Sequence, residues 1–177
     1  LLGYLLLRAL VARPALFAPG KRPDAAALED FILWAALGAI VGGRLGFVLF
    51  YAPGYFLTRP HEILFVWQGG MAFHGGMIGM TVAGWLFARR RGLPFLTLMD
   101  LVSTAAPIGL FFGRIANFIN GELWGRVTEV PWRVVFPGAG PIGRHPSQLY
   151  EAALEGLLLF AILIAAAFGG AYRRPGL

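Results

Sequence analysis

Apolar residues run along this chain in long blocks instead of alternating with polar ones. Residues 31–52, 71–88, 95–113 and 149–170 are each dominated by aliphatic, aromatic and small side chains. A helix needs about 20 mainly apolar residues to cross a bilayer, so the pattern predicts four complete spans, with 71–88 the shortest. The opening stretch, residues 1–11, is apolar but too short to cross, and it begins without methionine. It is expected to be the C-terminal half of a first helix. A signal peptide fits less well, because the basic residues follow the apolar run and do not precede it. Between the last two spans lies a stretch of different character, residues 117–146, carrying Pro131, Pro137, Pro141 and Pro146 together with several charges. Within it, residues 132–136 alternate enough to predict a short strand or extended piece. Backbone of this kind has to find partners in water, at the interface or against protein.

Composition turns this pattern into a class. Of the 177 residues, 58% are hydrophobic and only 14% charged, and the mean hydropathy is +0.68. A water-soluble domain of this length could not cover that much apolar surface, and a disordered chain would be poor in it. The expected fold is therefore all-α, a polytopic transmembrane helix bundle in one membrane domain, with an irregular periplasmic segment before the last span. The chain has no cysteine, which removes disulfides, thiolate metal sites and cysteine nucleophiles together.

The net charge of +6 does not point to nucleic acid. The basic residues form short clusters that flank the spans, not a stripe along one binding face. Arg13, Lys21 and Arg22, then Arg89, Arg90 and Arg91, then Arg173 and Arg174 fall in alternate loops, eight in all. The opposite loops hold four: Arg59, Arg126, Arg133 and Arg144. The excess of positive charge assigns the first set to the cytoplasm. The stretches 53–70 and 117–146 then face the outer, periplasmic side.

Polar groups within or beside the spans are costly there, so they mark candidate chemistry. Arg44 lies mid-span in Gly42-Gly43-Arg44-Leu45-Gly46, and His74 sits among Gly69, Gly70, Gly75 and Gly76. Those glycines alone could serve close helix packing. Arg44 is either structural, paired with a carboxylate such as Glu151 or Asp100, or functional. His61, in an outer loop, is expected to be an ordinary polar residue. Arg114, Asn117 and Gly121 stand three and four residues apart, so they share one helix face. Asn120 and Glu122 join them if the helix loosens near Gly121. An arginine, two amides and a carboxylate at the bilayer edge suit a phospholipid headgroup, because guanidinium grips phosphate through paired hydrogen bonds. An arginine snorkelling to the interface would account for Arg114 but not for its neighbours.

Four blocks of residues together are similar to the bacterial prolipoprotein diacylglyceryl transferase family. They are Gly42-Gly43-Arg44-Leu45-Gly46, the run from Trp67 to Gly76, the run from Gly113 to Gly125, and Arg144-His145-Pro146-Ser147-Gln148-Leu149-Tyr150-Glu151. They occur in the family's order. The resemblance implies a multi-pass enzyme of the bacterial inner membrane whose active site faces the periplasm. Such an enzyme moves diacylglyceryl from phosphatidylglycerol to the lipobox cysteine of a preprolipoprotein signal peptide, releasing glycerol 1-phosphate. It also implies that Arg114 binds phosphatidylglycerol, that Asn117 is essential, and that Gly125 and His74 belong to the site. Asn120, Glu122, Arg44, His145, Tyr150 and Glu151 complete the expected substrate-binding set, with Glu155 one turn further on.

In the mechanism expected from these residues, Arg114 stabilises the departing glycerol phosphate. His74 either takes the thiol's proton or orients the substrate. No metal or redox cofactor is called for, since the lipid supplies its own leaving group. Members of the family are longer, with seven spans and another essential arginine beyond the point matching Leu177. The chain therefore reads as the substrate-holding core. Two other classes fit the pattern less well: a small anion transporter or channel built on Arg44 and Arg114, and a phospholipid-binding protein without chemistry.

Overall fold

The computed structural model describes residues 1–176. Its longer elements are all helices: α1 (Leu2–Val11), α2 (Ala25–Phe50), α3 (Pro53–Thr58), α4 (Phe73–Arg91), α5 (Phe95–Asn120) and α6 (Ser147–Phe168), with residues 121–146 mostly irregular. Short 3₁₀ turns join them, and among the described residues there is no strand. Three helices are long and apolar enough to cross a membrane: α2, α5 and α6. At 26 residues, α2 and α5 each extend about 39 Å, more than a hydrocarbon core of about 30 Å. The stretch expected to form the span 71–88 is helical from Phe73, but it stands outside those three. Four glycines and the arginine triplet Arg89–Arg91 dilute its apolar content.

The chain divides into two compact units, residues 19–99 and residues 1–18 with 100–177. In the first unit, α2 starts where the Asp24 carboxylate accepts the Ala27 N–H at 2.6 Å, satisfying one of the free donors of the first turn. It stops before Pro53, because the residue preceding a proline is pushed out of the helical region. α4 begins after Gly69 and Gly70, both at positive φ, and ends at Gly92, a left-handed C-cap. Its last turn carries Arg89, Arg90 and Arg91, favourable at the negative end of the helix dipole. Arg89 lies 4.9 Å over Trp85, Arg90 4.9 Å over Trp34, and Arg91 pairs with Asp30.

Glycine spacing decides how α2 and α4 meet. Gly38, Gly42 and Gly46 recur every fourth residue on α2, as do Gly75 and Gly79 on α4. A methyl group on Gly42 would stand 2.7 Å from the Gly79 Cα and closer still to the Gly75 carbonyl oxygen. One on Gly46 would stand 2.9 Å from the Gly75 Cα. The two backbones touch directly, antiparallel, as small residues allow in membranes.

In the second unit, α5 contains Pro107 yet continues to Asn120. It closes with Gly121 at φ +67°. There the Gly121 N–H donates to the Phe118 carbonyl at 3.1 Å and the Glu122 N–H to the Asn117 carbonyl at 2.8 Å. This paired arrangement is the Schellman end of a helix. α6 is not a regular α-helix. Residues Ala152–Leu158 wind as a π-turn, a departure often found at functional sites. A methyl group on Gly156 would lie 2.7 Å from the Phe111 Cβ, so α6 presses its backbone against α5 at that level. At the other end of α6, Tyr172 stacks on Phe17 at 5.2 Å and donates to Thr104 Oγ1 at 2.7 Å. Arg173 donates to the Ala15 carbonyl at 3.0 and 3.2 Å.

The alternating stretch 132–136 is extended but builds no strand. Only Val134 pairs there, exchanging backbone hydrogen bonds of 3.0 and 2.9 Å with Arg144. The neighbouring Pro131 and Pro137 cannot donate to a ladder, so pairing extends no further.

Candidate functional site

The second unit brings together most of the residues singled out around Arg114. The end of α5 aims Arg114 at α6, where its Nε lies 2.7 Å from Glu151 Oε2 and its Nη2 3.7 Å from Glu155 Oε2. The Nε–H is not aligned for a hydrogen bond with either oxygen, so the contact is chiefly Coulombic. The side chain is half-buried, and the outer fork of the guanidinium still has donors to offer. The π-turn widens α6 just where Glu151 and Glu155 both have to face one arginine.

One turn beyond Arg114, the Asn117 amide donates to Glu122 Oε2 at 3.3 Å. The two stand close because the Schellman end folds the chain back over the last turn. Asn120 lies exposed at the final helical position. Leu123 follows at φ +53°, a left-handed conformation that costs a branched side chain on the order of 1 to 3 kcal/mol. Two side chains from the start of α6 hold it there. Ser147 Oγ donates to the Leu123 carbonyl at 3.0 Å, and Gln148, 1% exposed, donates to the Glu122 carbonyl.

Gly125 stands where the two motifs meet. Its N–H donates to the His145 carbonyl at 3.0 Å, and the His145 N–H donates to the Arg126 carbonyl at 3.0 Å. A methyl group on Gly125 would lie 2.8 Å from that His145 oxygen and 2.9 Å from the His145 Cβ. Glycine is required by the approach of the two chains. Arg144 donates to the Gly125 carbonyl at 3.3 Å and lies 5.9 Å over Trp124. Tyr150 accepts from Trp132 Nε1 at 2.6 Å, and its hydroxyl lies 3.1 Å from His145 Nδ1. The tyrosine hydrogen is thereby free to bond the imidazole. Arg114, Asn117, Glu122, Gly125, His145, Tyr150 and Glu151 thus form one constellation, with Glu155 added.

In the sequence Ser147 and Gln148 stand only as members of a motif, and Trp132 only as the first residue of the alternating stretch. The signal for the first two was there. A polar pair opening an apolar span must satisfy its hydrogen bonds locally. Nothing local in the sequence pointed to Trp132.

Arg44 and His74 belong to the other unit, and there one expectation is corrected. Arg44 pairs with neither Glu151 nor Asp100. Its Nε donates to the Ile63 carbonyl at 2.8 Å, Nη2 to Glu62 at 2.6 Å, and Nη1 to Gly69 at 2.6 Å and Gly70 at 3.2 Å. Asp100 instead accepts the Gly176 N–H at 2.9 Å, and Glu151 faces Arg114. Carbonyls prevail because the loop after α3 curls over Arg44 and presents its backbone oxygens there. His74 is the second residue of α4, exposed, with its ring against Phe73. His61, also exposed, packs edge-on against Phe65. Among the described residues no group of three or more potential ligands could hold a metal ion.

A family model described as prolipoprotein diacylglyceryl transferase matches residues 1–175. Relatives named phosphatidylglycerol–prolipoprotein diacylglyceryl transferase include one from Methylocella silvestris, 56% identical over 99% of this chain and 65% of its own length. Another, from Rhizobium leguminosarum bv. trifolii, is 54% identical over 99% of this chain and 63% of its own length. A third, from Ruegeria pomeroyi, is 52% identical over 97% and 62%. The chain spans less than two thirds of the length of these curated relatives.

Proposed function

The chain belongs to the prolipoprotein diacylglyceryl transferase family, and from that membership and the geometry around Arg114 we propose the reaction it serves. The protein transfers diacylglyceryl from phosphatidylglycerol to the lipobox cysteine of a preprolipoprotein signal peptide. The products are a thioether-linked precursor and glycerol 1-phosphate. It works as a multi-pass protein of the bacterial inner membrane, with its site on the periplasmic side. In this reading α4 is a fourth complete span and α1 the remainder of a first. The excess of arginine and lysine in alternate loops supports the orientation.

The observation that carries the reading is the state of Arg114. It is a half-buried guanidinium held from one side by Glu151 and Glu155, with donors left for an anion that offers two oxygens side by side. A phosphodiester headgroup is such an acceptor, and the Asn117 and Glu122 side chains beside it suit glycerol hydroxyls. In the chemical step the cysteine sulfur forms a bond to the diacylglyceryl carbon as the bond from that carbon to the phosphate oxygen breaks. The electron pair leaves on the phosphate, where Arg114 stabilises the added charge most in the transition state. The thiol must lose its proton to attack, since the thiolate is the nucleophile. His74 is the residue proposed either to accept it or to orient the substrate for attack.

The test is intact-mass analysis of a lipobox cysteine peptide incubated with the protein, expressed from its complete reading frame, in phosphatidylglycerol liposomes. A diacylglyceryl mass on the cysteine is expected, absent with Arg114→Ala and absent in phosphatidylethanolamine liposomes. No adduct under the first condition removes the transferase reading.

A further inference from the structure

We propose that Arg44 is a positioning residue: it fixes the segment 69–72 against α2 and so sets where α4 begins and where His74 stands. This rests on the role given to His74 above.

The argument starts from what surrounds the cation. Arg44 is 5% exposed, and each guanidinium nitrogen already donates to a backbone carbonyl. Its plane lies 5.0 Å over the Phe56 ring. All these acceptors are neutral, so several dipoles share the charge and no counter-ion neutralises it. One N–H of the five is left over, so a phosphate could take a two-point grip on Arg44 only by displacing a carbonyl. The residue is therefore spent on holding backbone, and a planar fork with donors on three sides is what that requires.

The backbone it holds lies in two places. Glu62 and Ile63 present their carbonyls from the loop after α3, which is fastened by the Tyr55 hydroxyl to the Glu62 carboxylate and by Arg59 at 3.7 Å from the same group. Gly69 and Gly70 lie just before α4, and both adopt positive φ to turn their oxygens inward. A methyl group on Gly70 would stand 2.6 Å from the Phe47 ring and 3.0 Å from Arg44 Nη1, so the segment is seated as closely as glycine permits. Two residues later the Ala72 N–H donates to the Gly43 carbonyl at 2.9 Å. Arg44 and its neighbour Gly43 thus grip both ends of a four-residue segment, and His74 follows two residues after the second grip.

A displacement of about 1 Å at a reacting group can cost on the order of 100-fold in rate, so a strut of this kind has a measurable consequence. Arg44→Gln, Gly70→Ala, His74→Ala and the double variant Arg44→Gln/His74→Ala are to be assayed in phosphatidylglycerol liposomes with the lipobox peptide. Arg44→Gln should lower kcat at least about tenfold with little change in KM for the lipid. The double variant should be no slower than His74→Ala alone, Gly70→Ala should reproduce the loss, and Arg44→Lys should recover part of it.

A second readout does not depend on activity. The chain has no cysteine, so His74→Cys introduces a single thiol into it. Its maleimide labelling rate should change several-fold when Arg44→Gln or Gly70→Ala is added. Multiplicative losses in the double variant, a raised lipid KM in Arg44→Gln, an unimpaired His74→Ala, or an unchanged labelling rate would each overturn the proposal. Absence of thioether product from the unsubstituted protein would instead remove the transferase reading, leaving the labelling experiment to judge the role of Arg44.

Discussion

Arg44 and Arg114 are both arginines set in apolar helices, and the two units handle them in opposite ways. Arg44 is buried with four of its five N–H groups on neutral carbonyls, while Arg114 is half-buried and held by two carboxylates with donors remaining. The difference lies in what can be exchanged. Carbonyls of one loop take four of the five N–H groups of Arg44, which leaves no pair of donors for an incoming anion. A carboxylate pair holds the cation in place electrostatically without filling its outer donors, which stay open to the two free oxygens of a phosphodiester. On the readings proposed above, the same side chain serves as a strut in one unit and a receptor in the other.

The largest effect expected from this contrast is at Arg114. Arg114→Lys should lose about 100-fold or more in transfer, nearly as much as alanine, because a point charge cannot reproduce a planar fork on a phosphate. Arg44→Lys should lose less, since an ammonium can still donate to some of the same carbonyls. Equal losses at the two positions, read by product mass, would erase the distinction between receptor and strut.

The next effect concerns the frames that carry the two arginines. Gly79→Ala drives a methyl group into the Gly42 Cα at 2.8 Å and should destabilise the α2–α4 pair by about 1 to 3 kcal/mol. Gly109→Ala meets nothing within 4 Å and should be neutral or stabilise by up to about 1 kcal/mol. Denaturation curves in detergent would separate the two. Gly125→Ala should behave like Gly79→Ala in stability but also reduce transfer, since it displaces His145 from the strand of residues facing Arg126. A Gly125→Ala variant with unchanged transfer would detach that junction from the site.

The smallest effect is at the other end of the second unit. Tyr172→Phe removes the hydrogen bond to Thr104 and should cost about 1 kcal/mol. Burial raises the Tyr172 hydroxyl above its ordinary pKa near 10, with the Thr104 hydrogen bond opposing the shift. A group raised in the folded state stabilises fully below the unfolded value and loses that contribution as pH rises through the folded one. Stability of the unsubstituted protein should therefore fall above about pH 10, and the Tyr172→Phe variant should fall less. Parallel curves would show that Tyr172 does not titrate with unfolding.

Much of the site was legible because helix spacing is a local rule. Arg114, Asn117 and Gly121 sit three and four apart, so their common face followed from the sequence, and the break at Gly121 followed from glycine's tolerance of positive φ. The glycines beside Arg44 and His74 were readable as allowing close packing, while the interval of four that sets Gly38, Gly42 and Gly46 against Gly75 and Gly79 emerged only in the fold. The partner of Arg44 was not legible. Carboxylates are visible in a sequence as candidate partners, whereas backbone carbonyls are everywhere and become acceptors only when a loop turns them inward. The length of α4 as a helix was likewise readable, while its glycines and arginines set it apart from the three apolar helices.

By itself, then, the amino-acid order determined that this is a helical membrane chain, where its long apolar helices run, and which residues mark its family. Those properties depend on composition, periodicity and short motifs, each confined to a few turns. Only the tertiary structure decided that Glu151 and Glu155 both face Arg114 through a π-turn. It also decided that Gln148 and Ser147 fasten the strained Leu123, and that Arg44 is enclosed by carbonyls from residues 18 to 26 positions away. Those contacts join segments distant in sequence, and their geometry depends on how closely backbones can approach, which no local pattern encodes.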